Sequence, residues 1–497
     1  MTSAYQQLCE RFRMLHRFGH LAAICHWDQA TMMPSGSNEA RSQALAELAL
    51  LEHRQLTAPE MDDWLSLAAE EPLDLSQHAN LREMKRAWNR AAALPDRLVE
   101  AQSLAGARCE HAWREQRRQN DWSGFLPNLR EVVRLSREEA SVRGEHQGCG
   151  RYDSLLDLYE PGMTSHKLDA LFGDITTWLP ELCQQVVERQ AAEPYVLSNG
   201  RFATEAQRQL GLKVMSKLGF DFDRGRLDVS VHPFCGGVPE DVRITTRYTD
   251  DDFTGSLMGV IHETGHGCYE QNLPAEWLGL PAGEARSMAV HESQSLLFEM
   301  QLARHPAFLH WLSPLLVEAF GTGHQAYLDG DNLCRLFTRV QPGLIRVDAD
   351  EVTYPFHIIL RYEIERRLIE GELEVDDIPE LWTQKMETWL GISTAGNYRD
   401  GCMQDIHWTD GGFGYFPTYT LGALYAAQLF GALKRDLPDL DECLREGDFM
   451  PLTTWLRERV WRHGCLLETG ELLQQATGEP LNPDWFRRHL ERRYLEV

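Results

Sequence analysis

The sequence has no C-x-x-C pair, no repeat, no low-complexity tract and little positive charge for its length. Each absence excludes something. Its eleven cysteines, an odd number, are scattered singly from Cys9 to Cys465. That spread fits reduced thiols better than a disulfide framework and leads to the expectation of a cytoplasmic protein. No stretch approaches the roughly 18 apolar residues of a membrane helix. The opening segment, Met1 to Arg11, lacks the basic-then-apolar layout of a secretory leader. Lys and Arg total 49 against 75 Asp and Glu, a net charge of −26. Such a surface repels phosphate backbones and anionic lipid, so neither nucleic acid nor a membrane is expected as a partner. No linker is long enough to separate domains, and residues 1–497 read as one unit.

What is present is a hydrophobic fraction of 43% in 497 residues, enough to bury a large core. Apolar residues recur at spacings of three and four over most of the chain, which predicts helices. These cover 5–24, 40–56, 81–118, 165–190, 255–271, 283–304, 355–370, 378–390, 417–435, 452–463 and 482–495. Two stretches alternate instead: Arg226 to His232 and Asp241 to Tyr248. A turn-rich link from Pro233 to Pro239 joins them, so the pattern predicts one small antiparallel hairpin. The fold class is mainly α.

The segment Val260-Ile-His-Glu-Thr-Gly-His-Gly267 contains H-E-x-x-H. Positions four apart on a helix face the same way, so His262 and His266 can grip one metal. Glu263 is then placed to take a proton from a water at that metal. Gly265 and Gly267 each weaken a helix by roughly 1 kcal/mol, and they read as room left for metal or substrate, the alternative being close helix packing. A hydrolytic site needs a third protein ligand. Glu292, 26 positions after His266, is favoured over Glu299 and Glu284, with His291 as an outer partner of the ligands and Gln294 as an outer support.

Six separated motifs then resemble, in order, those of the carboxypeptidase Taq family of metallocarboxypeptidases. They are His232-Pro-Phe234, Asp241-Val-Arg-Ile-Thr245, His262 to His266, His291-Glu-Ser-Gln294, Ile345-Arg-Val-Asp-Ala-Asp350 and Gly414-Tyr-Phe-Pro-Thr-Tyr419. An amino-terminal Trp27-Asp-Gln-Ala-Thr-Met-Met-Pro34 segment extends the likeness over nearly the whole chain. The resemblance implies a single helical domain with a deep substrate groove, commonly a homodimer. It implies release of single residues from peptide carboxyl ends, with broad side-chain tolerance. By motif, His262, His266 and Glu292 become the ligands of one zinc ion per chain, cobalt serving some members, and Glu263 the general base.

An exopeptidase must recognise a free carboxylate, and the planar fork of Arg suits that best. Arg346 is the first candidate and Arg243 the second, the alternative for Arg346 being an ion pair with Asp348 or Asp350. Arg243 and Thr245 share one face of a strand that reads equally as an edge pairing with an extended peptide or as an ordinary amphipathic strand. His232, Tyr415 and Tyr419 are candidate donors to the reacting carbonyl or leaving group. Tyr354 and His357 follow the Arg346 motif and are expected in the groove or the core. An endopeptidase with the same metal site, or a helical binding protein without activity, are the competing readings.

Overall fold

The structure is a computed structural model that describes residues 3–198 and 200–496. Among the described residues it holds twenty α-helices and one three-stranded sheet. One large core runs from Leu98 to Tyr494, and a smaller cluster around Leu8, Phe12, Met61 and Met84 lies beneath the first helices. Leu280 belongs to that smaller cluster, and the Ala282 N–H donates to Asn80, so the two regions interlock.

The predicted helices recur with adjustments that local chemistry explains. The expected span 81–118 is two helices, Leu75–Ala92 and Asp96–Arg118, because Pro95 interrupts it. Trp122–Gln147 and Pro306–Phe320, each with an interior proline, were not expected, whereas Ser165–Gln190 was expected despite Pro180 inside it.

The sheet differs from the predicted hairpin. Strand β1 (Gly225–Val229) runs parallel to β3 (Asp241–Thr246), with Leu227 opposite Ile244. Strand β2 (Phe234–Val238), within the presumed link, pairs antiparallel with β3, with Phe234 opposite Thr245. The order is therefore β1-β3-β2 and the sheet is mixed. The strand was hidden because Phe-Cys-Gly-Gly-Val does not alternate. Gly237 is needed there: its φ is 105°, and a Cβ would lie 2.0 Å from the Asp241 carbonyl oxygen. Because β3 is central, neither of its edges is open, and the expected strand addition along Arg243 and Thr245 is excluded.

Under this sheet lies the helix Thr254–Gln271, here called the histidine helix. Beside it runs the ligand helix, Met288–Leu296, which continues as a π-helical stretch over Leu297–Leu302. The covering helix, Pro417–Asp436, packs on the ligand helix.

Candidate metal centre and carboxylate clamp

The histidine helix starts where the Asp252 carboxylate accepts from the Thr254 and Gly255 N–H groups, at 2.9 and 3.3 Å. His262 and His266 stack one turn apart, their ring centroids separated by 5.0 Å. The ligand helix starts at Ser287, whose hydroxyl accepts from the Val290 N–H at 2.9 Å and donates to Glu160. Glu160 also accepts from the Ala289 N–H at 3.2 Å. That buried carboxyl, raised to about 7 by desolvation, thus fixes the start of the helix that presents Glu292.

His262, His266 and Glu292 each bring a donor atom within 4.8 Å of the others. Between His266 Nε2 and Glu292 Oε2 the distance is 3.6 Å. Two donors about 2.1 Å from one tetrahedral ion stand roughly 3.4 Å apart, so the pair fits a shared cation. The far nitrogens of both rings are engaged. His262 Nδ1 bonds Glu299 at 2.9 Å, and His266 Nδ1 shares a 2.6 Å hydrogen bond with His291 Nδ1. His291 in turn reaches Glu270 at 2.7 Å. These bonds orient each imidazole, as outer partners of metal ligands do.

The electrostatics ask for a cation at this point. Burial opposes charge on His262, yet Glu299, Glu292 and Glu263 outweigh it and raise its pKa to about 10. Burial holds His266 uncharged, at about 4, the form that ligates. Glu263 is 8% exposed, and desolvation lifts its carboxyl to about 7.

The two glycines are not space for metal or substrate. A Cβ on Gly265 would lie 2.4 Å from the Gln294 carbonyl oxygen, and one on Gly267 would lie 2.8 Å from Phe220. They allow the histidine helix to press against the ligand helix and the sheet. On the opposite side Gly422 does the same: a Cβ there would meet the Glu292 Cγ at 2.7 Å. Among the earlier rivals, Glu299 supports His262. Glu284 lies in a separate cavity with Glu83 and Arg286. Gln294 accepts from Trp461 and has no hydrogen bond to the ligand side chains among the described residues.

A second cluster stands beside Glu292, whose carboxylate helps burial raise the pKa of Tyr354, Tyr415 and Tyr419. Arg346 lies over the Tyr419 ring at 4.9 Å, and its Nη1 donates to the Tyr354 hydroxyl at 3.2 Å. Its carboxylate partner is neither Asp348 nor Asp350 but Asp405, bonded through Nε at 2.9 Å. Arg361 donates to the other Asp405 oxygen at 2.7 Å. Burial disfavours the Asp405 charge, but Arg361 and Arg346 hold its carboxyl well below the usual range. Asp350 instead accepts from the Val352 and Thr353 N–H groups and sets the start of the next helix. Tyr419 bonds His407 at 3.2 Å, and Tyr415 packs edge-on against Tyr419.

Other expected residues fall elsewhere. Thr245 is wholly buried, its hydroxyl accepting from Ser230 and the Phe234 N–H, so it supports the sheet. Arg243 forms a two-point pair with Asp241 and stacks on Trp27 at 4.5 Å. His357 is also wholly buried, and desolvation and Arg361 depress its pKa to about 3. His232 is exposed after β1, with no bond to its ring among the described residues. Glu299, weighed only as a rival ligand, instead bonds His262, and Asp405 and His407 had no periodic or spacing signal to mark them.

A metal triad crossed between two helices, with a buried carboxyl adjoining it, places this chain among the helical metallopeptidases. Comparison narrows the class. The carboxypeptidase Taq (M32) metallopeptidase model matches residues 7–494, and the chain belongs to that family. It is 39% identical over 507 aligned residues to thermostable carboxypeptidase 1 of Thermus thermophilus, covering 100% of this chain and 99% of that one. Identity to carboxypeptidase 1 of Bacillus subtilis is 35%, over 98% of both. The fold matches metallocarboxypeptidase 1 of Trypanosoma cruzi with a TM-score of 0.97, at 47% identity and 99% coverage of each chain.

Proposed function

We propose that this protein releases single residues from the free carboxyl end of peptides, with broad side-chain tolerance, as a zinc enzyme. The observation that carries the reading is the convergence of His262, His266 and Glu292 on one point, with Arg346 held in the neighbouring cluster. A divalent cation held by those three residues supplies a Lewis acid that polarises the scissile carbonyl and acidifies water to a pKa of about 7.

The protein's own residues do the rest. Glu263 accepts the proton of the attacking water on its carboxylate and passes it to the departing amine nitrogen. Its raised pKa, about 7, suits both halves of that transfer. Arg346, immobilised by Asp405 and Tyr354, offers its remaining N–H groups to the terminal carboxylate of the peptide. Tyr415 and Tyr419, kept protonated by burial, donate to the carbonyl oxygen as it gains charge. His232, with an unengaged ring, is the candidate donor at the leaving group. Peptide reaches the centre along a deep groove, and residues 1–497 act as one domain.

The eleven free cysteines support a reducing, cytoplasmic setting. The homodimer rests on the family resemblance. Light scattering of the eluting protein tests it, and a monomer mass would refute it.

The activity itself is tested by a mass-spectrometric time course on one peptide in free and carboxyl-amidated forms, with and without chelator. Stepwise loss from the free form alone, abolished by chelator, is expected. Equal cleavage of both forms would establish an endopeptidase instead.

A further inference from the structure

Away from the metal centre the sign of the local charge reverses. A cavity of about 1110 Å³ opens between the end of the π-helical stretch, the helix Gly330–Phe337, the later half of the covering helix and the last helix, Asp484–Tyr494. Eight Arg and Lys side chains line it, against two carboxylates, Glu193 and Asp331. In a chain of net charge −26 such a concentration is not a by-product of composition.

Several of these cations already have partners. Arg304 pairs with Glu299 at 3.3 Å, Arg493 with Glu351 at 3.0 Å and Lys434 with Asp441 at 3.3 Å. Arg488 meets Asp484 only at 3.7 Å, with both side chains largely exposed, a pair worth little. Arg335 and Arg492 are exposed and have no ion pair or hydrogen bond among the described residues. Trp485 adds an aromatic wall: it lies across Gly431, where a Cβ would be 2.4 Å from the ring. Its indole N–H is anchored by Glu479 at 2.7 Å.

We propose that this cavity binds a small polyphosphate anion, either bare or carried on a nucleoside. Unpaired arginines suit phosphate because the planar guanidinium donates two parallel hydrogen bonds to its oxygens. The volume has room for a triphosphate with a planar ring attached, and the Trp485 wall offers such a ring a stacking face. One contact links the cavity to the metal centre. Arg304 donates to Glu299, and Glu299 bonds His262. Neither residue is altered in the test for that reason.

The test is equilibrium dialysis of the metal-loaded, full-length protein against ATP and against tripolyphosphate at about 0.15 M salt. Saturable binding of one ligand per chain is expected. The double variant Arg335→Glu/Arg492→Glu should weaken it about tenfold or more while leaving the peptidase rate in ligand-free buffer unchanged. Equal affinity for the two ligands assigns the site to the phosphate chain. Tighter binding of ATP, lost in Trp485→Leu, assigns it to a nucleotide; both results support the proposal. Binding that the double variant retains in full would be chelation of the metal and would overturn it. So would the absence of saturation below about 1 mM, or displacement of both ligands by a polyglutamate peptide at lower concentration.

Discussion

At Glu263, the base of the proposed reaction, burial shifts the carboxyl. Desolvation raises its carboxyl to about 7, so near neutral pH it is poised between holding and releasing a proton. Glu263→Gln keeps the size of the side chain but cannot take that proton. We expect it to bind metal as the parent does and to lose about 10² to 10⁴ in kcat. Metal content and turnover on one preparation check this, and retained turnover would remove Glu263 as the base. Glu292→Ala, by contrast, should lose the metal, because a donor atom is gone. At the clamp, Asp405→Asn should raise KM for free peptides more than it lowers kcat, since Arg346 loses the carboxylate that aims it. An unchanged KM would show that Arg346 needs no such support.

The difference between what was legible and what was not also lies at this scale. His262 and His266 are four apart on one helix, so local geometry alone places them together. Glu292 required a helical return. Asp405 is 59 positions from Arg346, and Glu299 is 37 from His262; only tertiary packing chooses such partners. The alternative ion pair of Arg346 with Asp348 or Asp350, nearer in sequence, does not form, and Asp350 is engaged by its own backbone turn.

At the scale of elements, the spacing of the helices positions the ligands. Helical periods were readable wherever a polar and an apolar face alternate, even across Pro180 in Ser165–Gln190, and were missed in Trp122–Gln147 and Pro306–Phe320. Strand β2 was unreadable because its glycines serve backbone proximity and leave no side-chain pattern. Glycines in the helices looked like free space for the same reason: a sequence does not say which neighbour occupies the gap.

Two glycine substitutions separate these cases. Gly422→Ala pushes a methyl group against Glu292, so the covering helix or the carboxylate must move. We expect metal affinity to fall although the residue touches neither metal nor peptide. Gly259→Ala, on the histidine helix, meets nothing within 4 Å. It should leave metal binding alone and stabilise the protein by up to about 1 kcal/mol. Thermal unfolding and metal titration of the pair check both, and equal metal affinity in the two variants would contradict the packing account.

For the whole molecule, the last helix closes the core, and a buried carboxylate anchors it. Glu351 pairs with Arg493 at 3.0 Å and His489 at 2.8 Å. Burial would raise its pKa, but Arg493, His489 and Arg304 overcome that and hold it at about 2. The group binds its proton more readily unfolded, at an ordinary 4.5, than folded. Its stabilisation is therefore complete above about pH 4.5 and is lost as pH falls towards 2, with a size on the order of 3 kcal/mol. Urea unfolding of the parent and Glu351→Gln should differ by that amount at pH 7, and the gap should narrow below about pH 4.5. A gap that stays constant down to pH 3 would mean that the ion pair is not its source.

One cation shared by two helices is tested most directly by anomalous diffraction from crystals of the zinc-loaded protein, recorded above the zinc edge. One peak per chain is expected, about 2 Å from His262, His266 and Glu292 together. A peak with a different set of neighbours, or zinc-bound protein with no peak between these helices, would contradict it.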